Sequence, residues 1–499
     1  MTFGRSLRPL VSSHVILSEG TSMSLKSCLL AGVFAAGLLS TTASAQDAAT
    51  VAAAEALRDK ALSDNIAFDF TREITTRFGP RPAGSKSEQD AAAWAADWMR
   101  ANGFQNVRIE SFPLVGWERG EESIEIVGAH AQKLVGGALG HSIATPADGI
   151  EAEVVRVESI EDIQAAPTGS LSGKIVYVDP GQMVADRQGS GYGPRSRIRT
   201  QGPKAAADQG AAAFVIRSVG SDHDRMPHTG TTGYHDGKVP LPSFSLAAPD
   251  ADQLNRLIEM GQPVRLKLSS TARTYETHSQ NVIGDITGAT RPDEVIVLGS
   301  HLDSWDIGTG AFDDAAGGGI TIAAAKIIAE AGRPARTIRV ILYGSEEVNQ
   351  PVSHGNGGGA YVRGIGEAIE KHIVAGESDL GADNVYAVGL PVGTLNSDFA
   401  KIAYQVLAPL NIEEGGEERF GGADVGPLAR GGVPVFGLKQ DATRYFDLHH
   451  TANDTLDKID PAQLRQNVAA WTALVKLIAD SDVDFRAIAA AQTGSAREE

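Results

Sequence analysis

The chain has 499 residues, 62 of them acidic and 44 basic, for a net charge of −18. That sign argues against a nucleic-acid binder, which needs a positive field to collect phosphates. A hydrophobic share of 42% against 21% charged residues excludes general disorder, and the length exceeds one ordinary domain. From the N-terminus, residues 23–45 (MSLKSCLLAGVFAAGLLSTTASA) read as a secretory signal: Lys26, an apolar run from Leu29 to Leu39, then the small residues Ala43-Ser44-Ala45. Met23 is a second candidate start. The one cysteine, Cys28, falls inside this signal, so the exported chain carries no thiol. No later segment reaches the roughly 18 uninterrupted apolar residues of a membrane span. The expectation is an exported protein, periplasmic or secreted, free of the membrane once residues 1–45 are removed.

Residues 48–62 and 87–103 have helical texture, and 105–113 reads as a strand. Between 118 and 272 short strand-like runs (SIEIVG, AEVVRVE, GKIVYVD, AAFVIRS, PVRLKLS) alternate with Gly- and Pro-rich turns and one helix at 203–211. This stretch reads as a small β-rich unit inserted into a larger domain formed by 46–117 and 273–485. After residue 280, strands at 281–286, 294–303, 336–347, 373–381 and 433–441 alternate with helices at 314–332, 357–371, 398–410 and 461–481. Apolar strands alternating with helices predict an α/β fold whose sheet is covered on both faces. Residues 486–499 read as a loose tail.

Polar runs end several of these buried strands, where α/β sheets open their ligand crevice. In GSHLDSWDIGTGAFDDAAGGG, His301 and Asp303 share one side of a strand, so Asp303 is placed to orient a metal-binding His301 ring. Asp313 and Asp314 precede a glycine-rich helix start, where an aspartate is also an ordinary N-cap. LYGSEEVNQ ends a strand on Glu346-Glu347. Two buried like charges repel unless a cation joins them, although on the surface they need no explanation. Asp379 in AGESDLGA is equally a turn residue, and His449-His450 lie together before a Thr/Asp turn. Each plain reading holds alone. Jointly, nitrogen and oxygen donors with no thiolate suit hydrolytic zinc, and a shared carboxylate suits a two-ion hydrolase site.

At these residues the chain resembles the M28 zinc peptidases, and within them the carboxypeptidase Q group. The ordered set is His301-Leu-Asp303, Asp313-Asp314-Ala-Ala-Gly317, Glu346-Glu347, Glu377-Ser-Asp379 and His449-His450-Thr451. The resemblance implies a mixed sheet of the zinc aminopeptidase/carboxypeptidase type, with 118–272 as an insert of the protease-associated type. It implies two zinc ions: His301 and Asp379 on the first, Glu347 and His450 on the second, Asp313 bridging. Glu346 is then the general base, Asp303 backs His301, and the Asp313–Asp314 peptide bond is expected to be cis. The stretch 348–362 is longer than the group's pattern, which keeps Asp424 as a rival to Asp379.

The resemblance further implies hydrolysis of dipeptides or short peptides with free termini, water being activated by Glu346. His449, beside a ligand, is a candidate donor to the oxyanion and equally a packing histidine. Arg444, Arg430 and Lys439 are candidates for pairing with a substrate carboxylate. An aminopeptidase, a glutaminyl cyclase and a non-catalytic binding protein on the same scaffold stay open, as does a homodimer.

Overall fold

A computed structural model describes residues 42–351 and 354–495. The secretory reading therefore lies outside the described residues, except at 42–45, where helix α1 (Thr42–Ala61) begins. Among the described residues no helix is long and apolar enough to cross a membrane.

Helices α2 (Ile66–Phe78) and α3 (Lys86–Ala101) lead into strand β1 (Gln105–Glu118), which outruns the expected 105–113. Strands β2 (Arg273–Ile286), β3 (Arg291–His301), β4 (Arg336–Tyr343) and β5 (His372–Glu377) complete a central mixed sheet in the order β1-β2-β4-β3-β5. β1 and β2 are antiparallel, β2 and β4 antiparallel, and β3 runs parallel to both β4 and β5. Strands β6 (Val385–Pro391), β7 (Glu413–Glu418) and β8 (Gly437–Gln440) form a second, three-stranded sheet, and a bridge between Ala375 and Val435 links the two.

The parallel strands are buried on both faces, which is why they read as continuous apolar runs. Ile296 and Leu298 of β3 enter one core, while Val295 and Val297 enter the other. The first core is closed by α4 (Ala316–Ala331), an apolar helix buried along most of its length between α2 and α5 (Pro461–Asp480). Gly319 permits the approach of α2: a Cβ there would stand 2.6 Å from the Ala67 carbonyl oxygen.

The segment between β1 and β2 builds its own eight-stranded sheet, entirely from Glu122–Ser270. Glu118 pairs with Arg273, so the segment leaves and re-enters through adjacent strand ends. It is nonetheless part of one compact unit with the rest of the described chain from Asp47 onward. Its main helix is Tyr192–Asp208, beginning well before the expected 203–211, because YGPRSRIRTQ has no apolar period to announce it. The tail also differs from expectation. Phe485–Ser495 is a helix anchored by the buried Phe485 and by Arg486 donating to the Ile369 and His372 carbonyls.

Candidate metal centre

The C-terminal ends of the parallel strands β3, β4 and β5 gather the polar runs. β3 ends on His301 itself. β4 ends at Tyr343, and Ser345, in the left-handed region at φ 64°, turns the chain so that Glu346 and Glu347 follow. Asp379 lies two residues beyond β5. Asp313 and Asp314, joined by a cis peptide bond, precede α4. His449 and His450 follow the short helix Tyr445–Leu448.

These side chains converge. His301 Nε2 lies 3.1 Å from Asp313 Oδ1 and 3.2 Å from Asp379 Oδ1. His450 Nε2 lies 2.9 Å from Glu347 Oε2 and 3.6 Å from Asp313 Oδ2, and His449 Nε2 is 3.7 Å from that same oxygen. Two groupings with metal-ligand spacing result, His301–Asp313–Asp379 and Asp313–His449–His450, and Asp313 belongs to both. Glu347, an expected ligand, is in neither, although it contacts His450, and His449 stands in the second grouping in its place. The rival Asp424 is also in neither. It is fully buried with both carboxylate oxygens unpaired, and its N–H donates to Glu377.

Asp303 acts differently from expectation. Its main-chain carbonyl accepts from His301 Nδ1 at 2.9 Å, while its carboxylate is 3.8 Å from that atom. The carboxylate instead accepts the N–H groups of Glu346 and Glu347 at 3.1 and 3.3 Å. Thus Asp303 fixes the glutamate turn and, through its backbone, the imidazole.

The donor set fits divalent cations. Asp313 Oδ2 and Glu347 Oε1 are buried without a hydrogen-bond partner, a costly arrangement unless a cation joins them. Burial, reinforced by neighbouring carboxylates, pushes Glu346 and Glu347 well above the usual carboxyl range. Burial acts to lower His301, but Asp379 and Asp313 hold it well above an ordinary imidazole. Burial also drives His449 down to about 3 and His450 well below its usual value, which keeps His450 neutral as a metal ligand must be. Two zinc ions satisfy these oxygens together with the Nε2 atoms of the imidazoles that face them.

Several residues position the centre, of which the sequence marks only Asp314, beside a helix start. The Asp314 carboxylate accepts the N–H groups of His301 and Gly317, both at 3.1 Å. Asp454 accepts those of Phe312 and Asp313. Arg81, fully buried, donates to the carbonyls of Leu302, Thr309 and Gly310 and so pins the loop between His301 and Asp313. The pocket over the centre holds about 340 Å³, and its far wall comes from the inserted segment, with Tyr192 and Arg199 sharing the pocket with Glu346 and His450. Of the three basic candidates, Arg444 is taken up by a two-pronged ion pair with Asp383 at 2.6 and 2.9 Å. Arg430 is exposed. Lys439 lines an adjoining pocket that shares Asp379.

Stripping the ions should lower the unfolding temperature, and the loss should grow as pH rises from 5 to 8. Burial raises Asp454 to about 7 and Glu377 to about 8. An acid with a raised folded-state pKa contributes stability below its unfolded value and loses it as pH climbs through the folded one. Bound cations offset that loss. Thermal melts with and without a chelator at three pH values test this, and a pH-independent difference would contradict it.

Comparison with known proteins agrees with this geometry. Residues 281–475 match the model of peptidase family M28. Carboxypeptidase Q of Mus musculus is 34% identical over 429 residues, covering 84% of this chain and 86% of the relative, and the Homo sapiens protein is 32% identical over 431. A peptidase M28 precursor from Shewanella amazonensis SB2B has a crystal structure with TM-score 0.84 and 41% identity, covering 88% of this chain and 98% of that one. An aminopeptidase from Aneurinibacillus sp. strain AM-1, 22% identical with TM-score 0.61, shares the fold. With the convergent centre, these similarities place the chain in peptidase family M28, as a zinc-dependent peptidase.

Proposed function

We propose that the protein is an exported exopeptidase that hydrolyses dipeptides or short peptides bearing a free C-terminal carboxylate. The observation that carries this reading is Arg199. Its guanidinium is buried, and its hydrogen bonds go to neutral acceptors: the carbonyls of Thr231 and Thr229 and the hydroxyls of Tyr192 and Ser196. Two divalent cations balance Asp313, Asp379, Glu347 and Glu346, so Arg199 leaves one positive charge on the pocket wall. A buried guanidinium without a carboxylate is costly, and a substrate carboxylate would complete it.

His301, Asp313 and Asp379 would hold one ion, and Asp313, Glu347 and His450 the other. Zinc there supplies a Lewis acid for the scissile carbonyl and brings the pKa of water toward about 7. Glu346 receives the proton of the attacking water on its carboxylate and delivers it to the leaving amine nitrogen. His449, stacked on His450 with ring centroids 3.4 Å apart, faces the same pocket and donates to the tetrahedral oxyanion. The 118–272 segment, read as a protease-associated-type insert, walls the cleft and favours short substrates. The stretch 23–45 supports export to the periplasm or beyond.

Arg199→Met should raise KM for unblocked dipeptides by about 10–100-fold, the scale of a hydrogen bond to a charged group. It should leave C-amidated substrates nearly unchanged. Equal losses on both would remove the carboxylate role, and preference for the amides in the parent enzyme would favour an aminopeptidase.

A further inference from the structure

The inserted segment contributes more than a wall. Its loop 218–232 runs along the His449–His450 segment and bonds to it and to the short helix before it four times. The Ser221 N–H donates to the Phe446 carbonyl at 3.0 Å, and the Ser221 hydroxyl donates to Asp447 Oδ1 at 2.7 Å. His228 Nδ1 is 2.8 Å from the His449 carbonyl oxygen, and the Thr229 N–H reaches the His450 carbonyl at 3.1 Å. A carbonyl only accepts, so His228 donates from Nδ1. The other ring nitrogen, Nε2, is 2.6 Å from Asp222 Oδ1, likewise an acceptor, so the ring donates from both nitrogens and Asp222 fixes its plane.

Two further features show that this contact is built. The His228 ring packs against Gly220, where any Cβ would collide with it. His450 has φ 60°, a left-handed conformation that a bulky L-residue adopts only at a cost. Its carbonyl direction follows from that backbone, and the Thr229 N–H is placed to meet it. Gly230, next in the loop at φ 105°, leaves room for the His450 ring: a Cβ there would stand 2.6 Å from Nδ1.

We infer that the Asp222–His228 pair and the Thr229 N–H of the inserted segment position the His449–His450 imidazoles, so that full affinity for the second zinc ion depends on the insert. This rests on the two-zinc reading of the centre. His228 and Asp222 belong to neither metal grouping and do not line the pocket, and both are positioning residues. Without His228 Nδ1 the His449 carbonyl loses its donor, and the strained His450 backbone is free to relax away from Glu347 and Asp313.

The test compares His228→Leu, which fills the space without a donor, with His228→Asn, whose amide nitrogen overlays Nδ1. Zinc affinity is measured by chelator competition on the full chain, alongside the ion count by elemental analysis. His228→Leu should bind one of its two ions about 10–100-fold more weakly, the usual cost of losing a partner that orients a ligand. The other ion should be unaffected, and His228→Asn should stay within a few-fold of the parent. Asp222→Ala, at a partly exposed position, should reproduce a smaller version of the His228→Leu defect and covers the case in which His228→Leu does not fold. Parent-like affinity for both ions in a folded His228→Leu or, failing that, in Asp222→Ala would overturn the inference. So would an equal defect in His228→Asn and His228→Leu. A parent protein that binds no zinc would overturn the metal centre itself, a separate outcome.

Discussion

Glu346→Gln is expected to lower kcat by about 10²–10⁴-fold, the usual contribution of a general acid–base, while the protein retains both zinc ions. The separation of the two effects follows from the turn after β4. The N–H groups of Glu346 and Glu347 both bond to the Asp303 carboxylate, so their backbone does not depend on either glutamate side chain. Of the two, Glu347 stands within bonding distance of His450. Neither glutamate belongs to the two metal groupings and both line the pocket, so the contact of Glu347 with His450 is what distinguishes them. An amide at 346 therefore removes a proton acceptor and leaves the ligands in place. The matching change Glu347→Gln should reduce the zinc content instead. The two variants are read by elemental analysis and by rates on an unblocked dipeptide. Full turnover in Glu346→Gln would transfer the base role to another group, Asp379 being another carboxylate of the same pocket.

His301, Glu347 and Asp379 are legible as candidates because they stand at or just after the ends of apolar strands and carry nitrogen and oxygen donors, whereas their roles as ligands come from the family resemblance. Periodicity locates β3, β4 and β5 within a few residues, and the positions just after them then have to face the crevice. Where the apolar signal is weak, elements escape. β7 is EEGGEE, an acidic strand with no alternation, and β6 is a short apolar run that periodicity cannot distinguish from a helix fragment. The tail reads as loose because its helix is held by one buried Phe485 and by Arg486 bonding to distant carbonyls, neither of which leaves a local pattern.

The positioning residues form a second class of loss. Asp303 does serve His301, but through its carbonyl, and its carboxylate serves the glutamate turn. Arg81, Asp314 and Asp454 act almost entirely on backbone groups. A side chain that bonds main chain has no required partner type in the sequence, so spacing cannot reveal it. The same holds for Arg199 and His228. Both come from a segment separated from the ligands by more than 70 residues of chain, and the paired strand ends Glu118 and Arg273 are where that segment leaves and rejoins the central sheet.

Asp313→Asn should have the widest consequence, because this carboxylate alone joins the two groupings. Its Oδ1 faces His301 and its Oδ2 faces His449 and His450. A carboxamide keeps the shape but halves the oxygen donors and removes the charge that two cations share. Zinc content should fall from two ions per chain toward none, and activity by at least about 10³-fold, since several kcal/mol of Lewis-acid stabilisation is lost at tenfold per 1.36 kcal/mol. The backbone there is held independently by Asp454, which accepts the Phe312 and Asp313 N–H groups, so the fold should persist. Asp379→Asn gives the contrast. It belongs to one grouping only, and a single ion should be weakened while the other stays bound. The melting temperature of Asp313→Asn should match that of the chelated parent and should not respond to added zinc. Two tightly bound ions in this variant would mean that the groupings do not share a ligand, and the two-ion description would have to be redrawn around Glu347 and Asp379 as separate sites.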